Sequence, residues 1–166
     1  LVEHQTVYES TVDDNVVLSA TIERFHDDYG GSETTGALDT NADSDRKVQT
    51  TGNLEGRVQI SAMWYDSLDR LEDVVEYGTN GGSTFTRTSL AVPSRSATAL
   101  RTTYDYDDTG EQFSMVDPKG AETRYGFDEA GRQTSVTQNY EDGTPESLEP
   151  DKDQIVRYGY VNGLRT

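Results

Sequence analysis

The residue types that could do chemistry in this chain are carboxylates set beside aromatic rings, and they recur. YDYDDTG, from Tyr104 to Gly110, is followed by YGFDEAG, from Tyr125 to Gly131, and Tyr65-Asp66 precedes both. A carboxylate against an aromatic wall is a general acid or base by type. Copying argues for a plainer role, because an active site rarely needs one carboxylate several times over. In that role the Asp accepts backbone N–H bonds in a turn, and the aromatic ring packs across neighbouring strands. A second cluster, DTNADSD, spaces oxygen ligands at Asp39, Asn41, Asp43 and Asp45. The spacing suits the first half of a calcium loop. An EF-hand would carry Gly where Ser44 stands and Glu where Thr50 stands, so a solvated acidic loop is the competing reading. Calcium is the one cofactor the residues suggest.

Other chemistries lack their parts. His4 and His26 are the only histidines, too few for a zinc site on their own, and the absence of Cys excludes disulfides and thiolate metal sites. Ser is plentiful, but no Gly-x-Ser-x-Gly elbow occurs. The Gly-rich run GTNGG after Tyr77 follows a strand pattern and reads as a hairpin connection. An aromatic stripe of Tyr104, Tyr106, Tyr125, Phe127, Tyr158 and Tyr160 would stack sugars if exposed. It would replace aliphatic packing if it faces the covered side of a sheet.

The elements that position these residues are short strands. Tyr104 and Tyr106 lie two apart and so share a face, as do Phe113 and Met115. DDTG places Asp107 first and Gly110 fourth in a type I turn, and DPKG does the same with Asp117, Pro118 and Gly120. ETRYGFD, DEAG and RQTSVTQNY then repeat strand, turn and return strand, giving a turn about every ten residues. Upstream, Val16 to Phe25 and Arg57 to Asp66 read as strands. Aligned copies put Asp66, Asp107 and Asp128 in one slot and Asp69, Gly110 and Gly131 in the turn slot. Arg70, Glu111 and Arg132 come next, and Tyr158 to Tyr160 begins a truncated further copy. Apolar spacing is two rather than three to four, which excludes helix. The organisation expected is a degenerate region over 1–56 with an acidic insertion at 32–52 and a repeat at 57–82. An insertion at 83–100, tandem repeats at 101–145, and a linker with the start of a further repeat at 146–166 follow.

Composition agrees with a sheet that needs neighbours. Leu, Ile, Val and Phe number only 31 of 166 residues and the net charge is −17, values that usually mean disorder. Ten Tyr and 21 Thr favour strands instead. The expected result is a folded chain with a thin core of its own, as in a repeat array. The acidic balance disfavours nucleic acid and anionic membranes, and suits a well-hydrated surface exposed to high salt or divalent cations. No apolar run is long enough to insert into a bilayer as a helix. The sequence opens at Leu1 without a signal-like segment and stops at Thr166 inside another copy, so a piece of a longer chain is expected.

The run RTTYDYDDTGEQFSMVDPKGAETRYGFDEAGRQTSVTQNY resembles tandem repeats of the Rhs/YD-repeat family, with further copies at Arg57 to Gly82 and, in part, Arg157 to Leu164. The resemblance rests on Tyr65, Asp66, Tyr104, Tyr106, Asp107, Gly110, Asp117, Pro118, Gly120, Tyr125, Phe127, Asp128, Gly131, Arg132, Tyr158 and Tyr160. It departs at Asp69, where Gly is expected, and at Glu111, where Arg is common. It implies an all-β antiparallel meander in a curved or spiral sheet, forming part of a β-shell. In bacterial toxin-associated members such shells enclose a polypeptide, and in teneurin-like animal relatives they belong to surface adhesion proteins. Some members self-cleave near Asp-Pro-x-Gly-Leu. Here Gly120 is followed by Ala121 and another full copy, so that activity is not carried over.

The expectation is therefore a non-enzymatic, secreted or cell-surface scaffold segment, extracellular, whose partners are neighbouring repeats, like subunits or an enclosed polypeptide. The alternative is an adhesive module for glycans or a partner surface, calcium-assisted, or a self-assembling filament subunit.

Overall fold

A computed structural model of the chain describes residues 4–10, 14–24, 56–80, 85, 91–145, 148–161 and 164–165. The protein is all-β and antiparallel, as expected. It divides into two compact units, Leu1–Leu100 and Arg101–Thr166.

The first unit is a meander of β1 (His4–Ser10), β2 (Val16–Arg24), β3 (Gly56–Tyr65) and β4 (Leu71–Gly78), each paired with the next. Alternation builds its core. Leu18, Ala20 and Ile22 of β2, with Val58, Ile60, Ala62 and Trp64 of β3, are buried, while Glu23, Arg57 and Gln59 between or beside them face water. The register makes this one face, since Leu18 opposes Ala62 and Ala62 opposes Val75. Asp73 lies on the same face, buried opposite Trp64. Ala99 joins this cluster, and Tyr77, Phe85 and Val92 pack against it. Residues in the polar stretch 83–100 thus help cover the core, with Phe85 4.5 Å from Tyr77 between ring centroids. β1 was not expected as a strand; its sequence HQTVYES has a single aliphatic residue, so periodicity does not mark it.

The second unit carries β5 (Leu100–Tyr106), β6 (Gln112–Val116), β7 (Glu122–Phe127), β8 (Gln133–Gln138) and β9 (Gln154–Arg157), again each paired with the next. A small hairpin of β10 (Tyr160–Val161) and β11 (Leu164–Arg165) follows. Strand β9 falls inside the segment read above as a linker. Here the burial is inverted. Tyr104, Met115, Tyr125 and Val136 share one face and are only half-buried, and Val156 beside them is 52% exposed. Among the described residues of this unit, the buried side chains are Ser114, Thr137 and Asp153, all polar. Ser114 donates its hydroxyl to Glu122 Oε1 at 2.8 Å, and Arg124 Nε reaches the same oxygen at 2.6 Å. The Arg124 guanidinium also lies 3.8 Å from the ring centre of Tyr140. This polar face is stitched together by hydrogen bonds where the first unit uses apolar packing.

Candidate functional site

The repeated carboxylates come together with backbone rather than with each other. In every one of four hairpins an Asp opens the turn and its Oδ1 accepts two backbone N–H groups, two and four residues on. Asp66 takes Leu68 and Arg70, both at 2.9 Å. Asp107 takes Thr109 at 3.0 Å and Glu111 at 2.9 Å. Asp117 takes Lys119 at 2.8 Å and Ala121 at 2.9 Å. Asp128 takes Ala130 at 2.9 Å and Arg132 at 3.0 Å. The backbone closes each loop identically, as in Gly110 N to Asp107 O at 3.0 Å and Asp107 N to Glu111 O at 3.0 Å. This is a type I turn followed by one left-handed residue, a common three-residue hairpin connection.

The left-handed position explains the turn glycines. Gly110 and Gly120 have φ of 90°, Gly131 has 72°, and Asp69 holds the same slot at 60°. Asp is among the few residues with a side chain that tolerate this region. The eroded copy therefore keeps the turn, and Asn15 Nδ2 donates to Asp69 Oδ1 at 2.9 Å.

The residue after the left-handed position decides how the carboxylate's second oxygen is used. Where it is Arg, the side chain folds back: Arg70 Nε meets Asp66 Oδ2 at 2.7 Å, and Arg132 Nε meets Asp128 Oδ2 at 2.8 Å. Where it is Glu111, that pairing is absent, and the Thr109 hydroxyl bridges Asp107 Oδ1 at 2.7 Å and Glu111 Oε2 at 3.3 Å. These bonds hold the carboxyls of three turns below the ordinary carboxylate range. The leading cause is the Arg70 N–H for Asp66, the Thr109 hydroxyl for Asp107 and the Arg132 side chain for Asp128.

The aromatic slot before each Asp has a shared geometry. Tyr65 opposes Leu71, Tyr106 opposes Gln112 and Phe127 opposes Gln133, each beside a register irregularity. One extra residue sits on the return strand: Glu72, Phe113 and Thr134 respectively. The Asp117 hairpin lacks this bulge, with Val116, Met115 and Ser114 pairing evenly to Glu122, Thr123 and Arg124. Bulged and even hairpins therefore alternate along the second unit. Tyr65 donates its hydroxyl to Val16 O at 2.8 Å, and Tyr160 donates to Gln133 O at 2.6 Å. Tyr160 also lies under Arg132, 4.8 Å from ring centre to guanidinium, while the backbone N–H of Tyr158 bonds Thr134 O at 2.8 Å. Tyr104 and Tyr125 stand half-buried opposite Met115 and Val136. Pro118 occupies the second position of its turn.

A fifth carboxylate of this kind escaped the sequence reading. Asp153 is 2% exposed and accepts the backbone N–H groups of Glu141 and Gly143, each at 3.0 Å, and of Asp142 at 3.4 Å. The Glu141 N–H is the largest of the influences that hold its carboxyl below the ordinary range. Its partners precede it by ten to twelve residues, so no local spacing could reveal it. Next to it, Lys152 is bound to Glu141 at 2.7 Å and Glu149 at 3.0 Å, which raises its pKa. An open cleft of about 330 Å³ lies here, lined by Glu122, Tyr140, Glu141, Asp151 and Lys152 among others. Three of its charged groups, Glu122, Glu141 and Lys152, are already engaged in ion pairs.

The calcium candidates Asp39, Asn41, Asp43 and Asp45, and His26, lie outside the described residues. Among the described residues no group of three or more His, Cys, Asp or Glu side chains is placed to hold a metal ion. No helix among them is long and apolar enough to cross a membrane.

An antiparallel meander in which four described tight turns are each closed by one Asp carboxylate has the form of a β-hairpin repeat. Residues 106–144 match the family model described as RHS Repeat, so that segment is similar to an RHS repeat. The matched span runs from Tyr106, just before the Asp107 turn, into the loop after β8. The RHS repeat is a structural repeat. No curated protein matches the chain.

Proposed function

We propose that the chain is a wall segment: a non-catalytic stretch of β-shell or scaffold in a secreted or cell-surface protein, serving encapsulation or surface display. The observation that carries this reading is the use of the turn carboxylates. Each is spent on two backbone N–H groups of its own loop, which is the chemistry of holding a hairpin, and from Asp107 to Asp128 it recurs in three successive hairpins. The alternation of bulged and even hairpins supports a curved sheet, because a bulge bends its strand and raises local twist. The half-buried aromatic face of the second unit supports a sheet designed to meet neighbours. Electron cryo-microscopy of the native protein tests this. The expected finding is these strands running as part of a continuous sheet around a cavity. A freestanding globule, with glycan-array binding that is abolished by Tyr125→Ala, would replace the scaffold by an adhesive module.

A further inference from the structure

The two units of this chain rest on different physics, and the difference has a consequence for the conditions in which each is folded. The first unit buries Leu18, Ile22, Ile60, Val75 and Trp64 in one apolar cluster. The second buries no apolar side chain among its described residues and leaves its Tyr, Met and Val face half open. It also carries fourteen Asp and Glu against seven Lys and Arg in residues 101–166. Three of those cations are paired within their own strand, turn or loop, in Arg124–Glu122, Arg132–Asp128 and the Lys152 pairs. They therefore do little to offset repulsion between successive hairpins.

We propose that the second unit is gated by ionic strength: closed in molar salt and opening in dilute buffer, while the first stays closed in both. Excess like charge destabilises a compact state through self-repulsion. Screening shortens the reach of that repulsion from between about 10 and 30 Å in dilute buffer to about 3 Å at 1 M salt. Where an apolar core supplies the stability, this change is minor. Where turn hydrogen bonds and half-buried rings supply it, the change decides the outcome.

The test is amide hydrogen exchange of the whole chain in 20 mM and in 1 M NaCl, read separately for β2–β3 and β5–β8. Protection of β5–β8 should rise at least about tenfold in 1 M salt, with little change at β2–β3. Choline chloride should reproduce the effect, which marks screening, and sucrose should not. Equal rises in both units, or none, would overturn the proposal. So would a full effect from millimolar calcium at fixed ionic strength, because that is site binding. The variant pair Asp108→Asn and Glu129→Gln removes two exposed charges without touching the turn-closing Asp residues. It should raise β5–β8 protection in 20 mM NaCl, and no change would refute an electrostatic origin.

Discussion

Replacing Gly120 by Ala isolates the conformational demand of the turn. Gly120 has φ of +90°, and a Cβ built there meets nothing within 4 Å, so the penalty is backbone strain without a clash. Holding an ordinary residue in left-handed space costs about 1–2 kcal/mol. Part of this, about 0.4–1 kcal/mol, is offset because Ala loses less freedom than Gly on folding. The net loss expected is about 1 kcal/mol, which lowers the melting temperature of a unit this size by roughly 4–8 °C. Thermal unfolding followed by circular dichroism, in 1 M NaCl so that the unit is closed, measures it. Gly120→Asn should lose less, because Asn enters the left-handed region more readily. Gly110→Ala, at the same φ, should behave like Gly120→Ala. If Gly120→Ala melts within about 1 °C of the parent, the left-handed slot is not what the glycine serves. A loss above about 3 kcal/mol would mean the turn does more than the strain argument allows.

Three further outcomes are expected. Ile60→Ala, at a side chain 1% exposed in the first unit's core, should cost about 2–5 kcal/mol and leave exchange at β5–β8 unchanged; denaturant unfolding checks the first half and exchange the second. Gly126→Ala should destabilise β7–β8, because its Cβ would lie 2.5 Å from Ser135 Oγ, and adding Ser135→Ala should restore part of the loss. Acid should unfold the chain through its turns. The folded Asp66, Asp107, Asp128 and Asp153 bind protons at lower pH than the unfolded chain does. Their contribution is thus complete above about pH 4 and is lost as pH falls through the depressed folded values. A titration in 1 M NaCl reads this, and a flat signal down to pH 2 would contradict it.

The turns were legible because their determinants are local. Asp first and Gly fourth in DDTG, DPKG and DEAG are the residues that a type I turn and its left-handed successor require. The Asp117 turn was legible on the same grounds, since DPKG carries Asp and Gly at the same two positions. The Arg70 and Arg132 closures depend on rotamers that spacing does not specify. Asp153 depends on partners supplied from far back along the chain, and the cover given by Phe85, Val92 and Ala99 depends on where a polar stretch is laid. Polar residues inside, such as Asp73 and Ser114, follow from register, which pattern alone leaves free by one residue. Hydrophobic periodicity reported the first unit's sheet well, as alternation from Leu18 to Ile22 and Val58 to Trp64. It reported little of the second unit, where none of the buried positions among the described residues is apolar.

The even succession of β5 to β9, each strand bonded to its sequence neighbour, sets how this unit answers tension. A pull on its ends across the sheet opens one hairpin at a time, like a zip, rather than shearing many backbone bonds together. Each opening frees about ten residues, which extend by roughly 35 Å at the contour length of a chain. Because every turn carries its own carboxylate closure, a freed hairpin keeps the means to re-form alone. The second unit would then act as a compliant, resettable length of sheet, lengthening in steps under load and recovering when the load is removed.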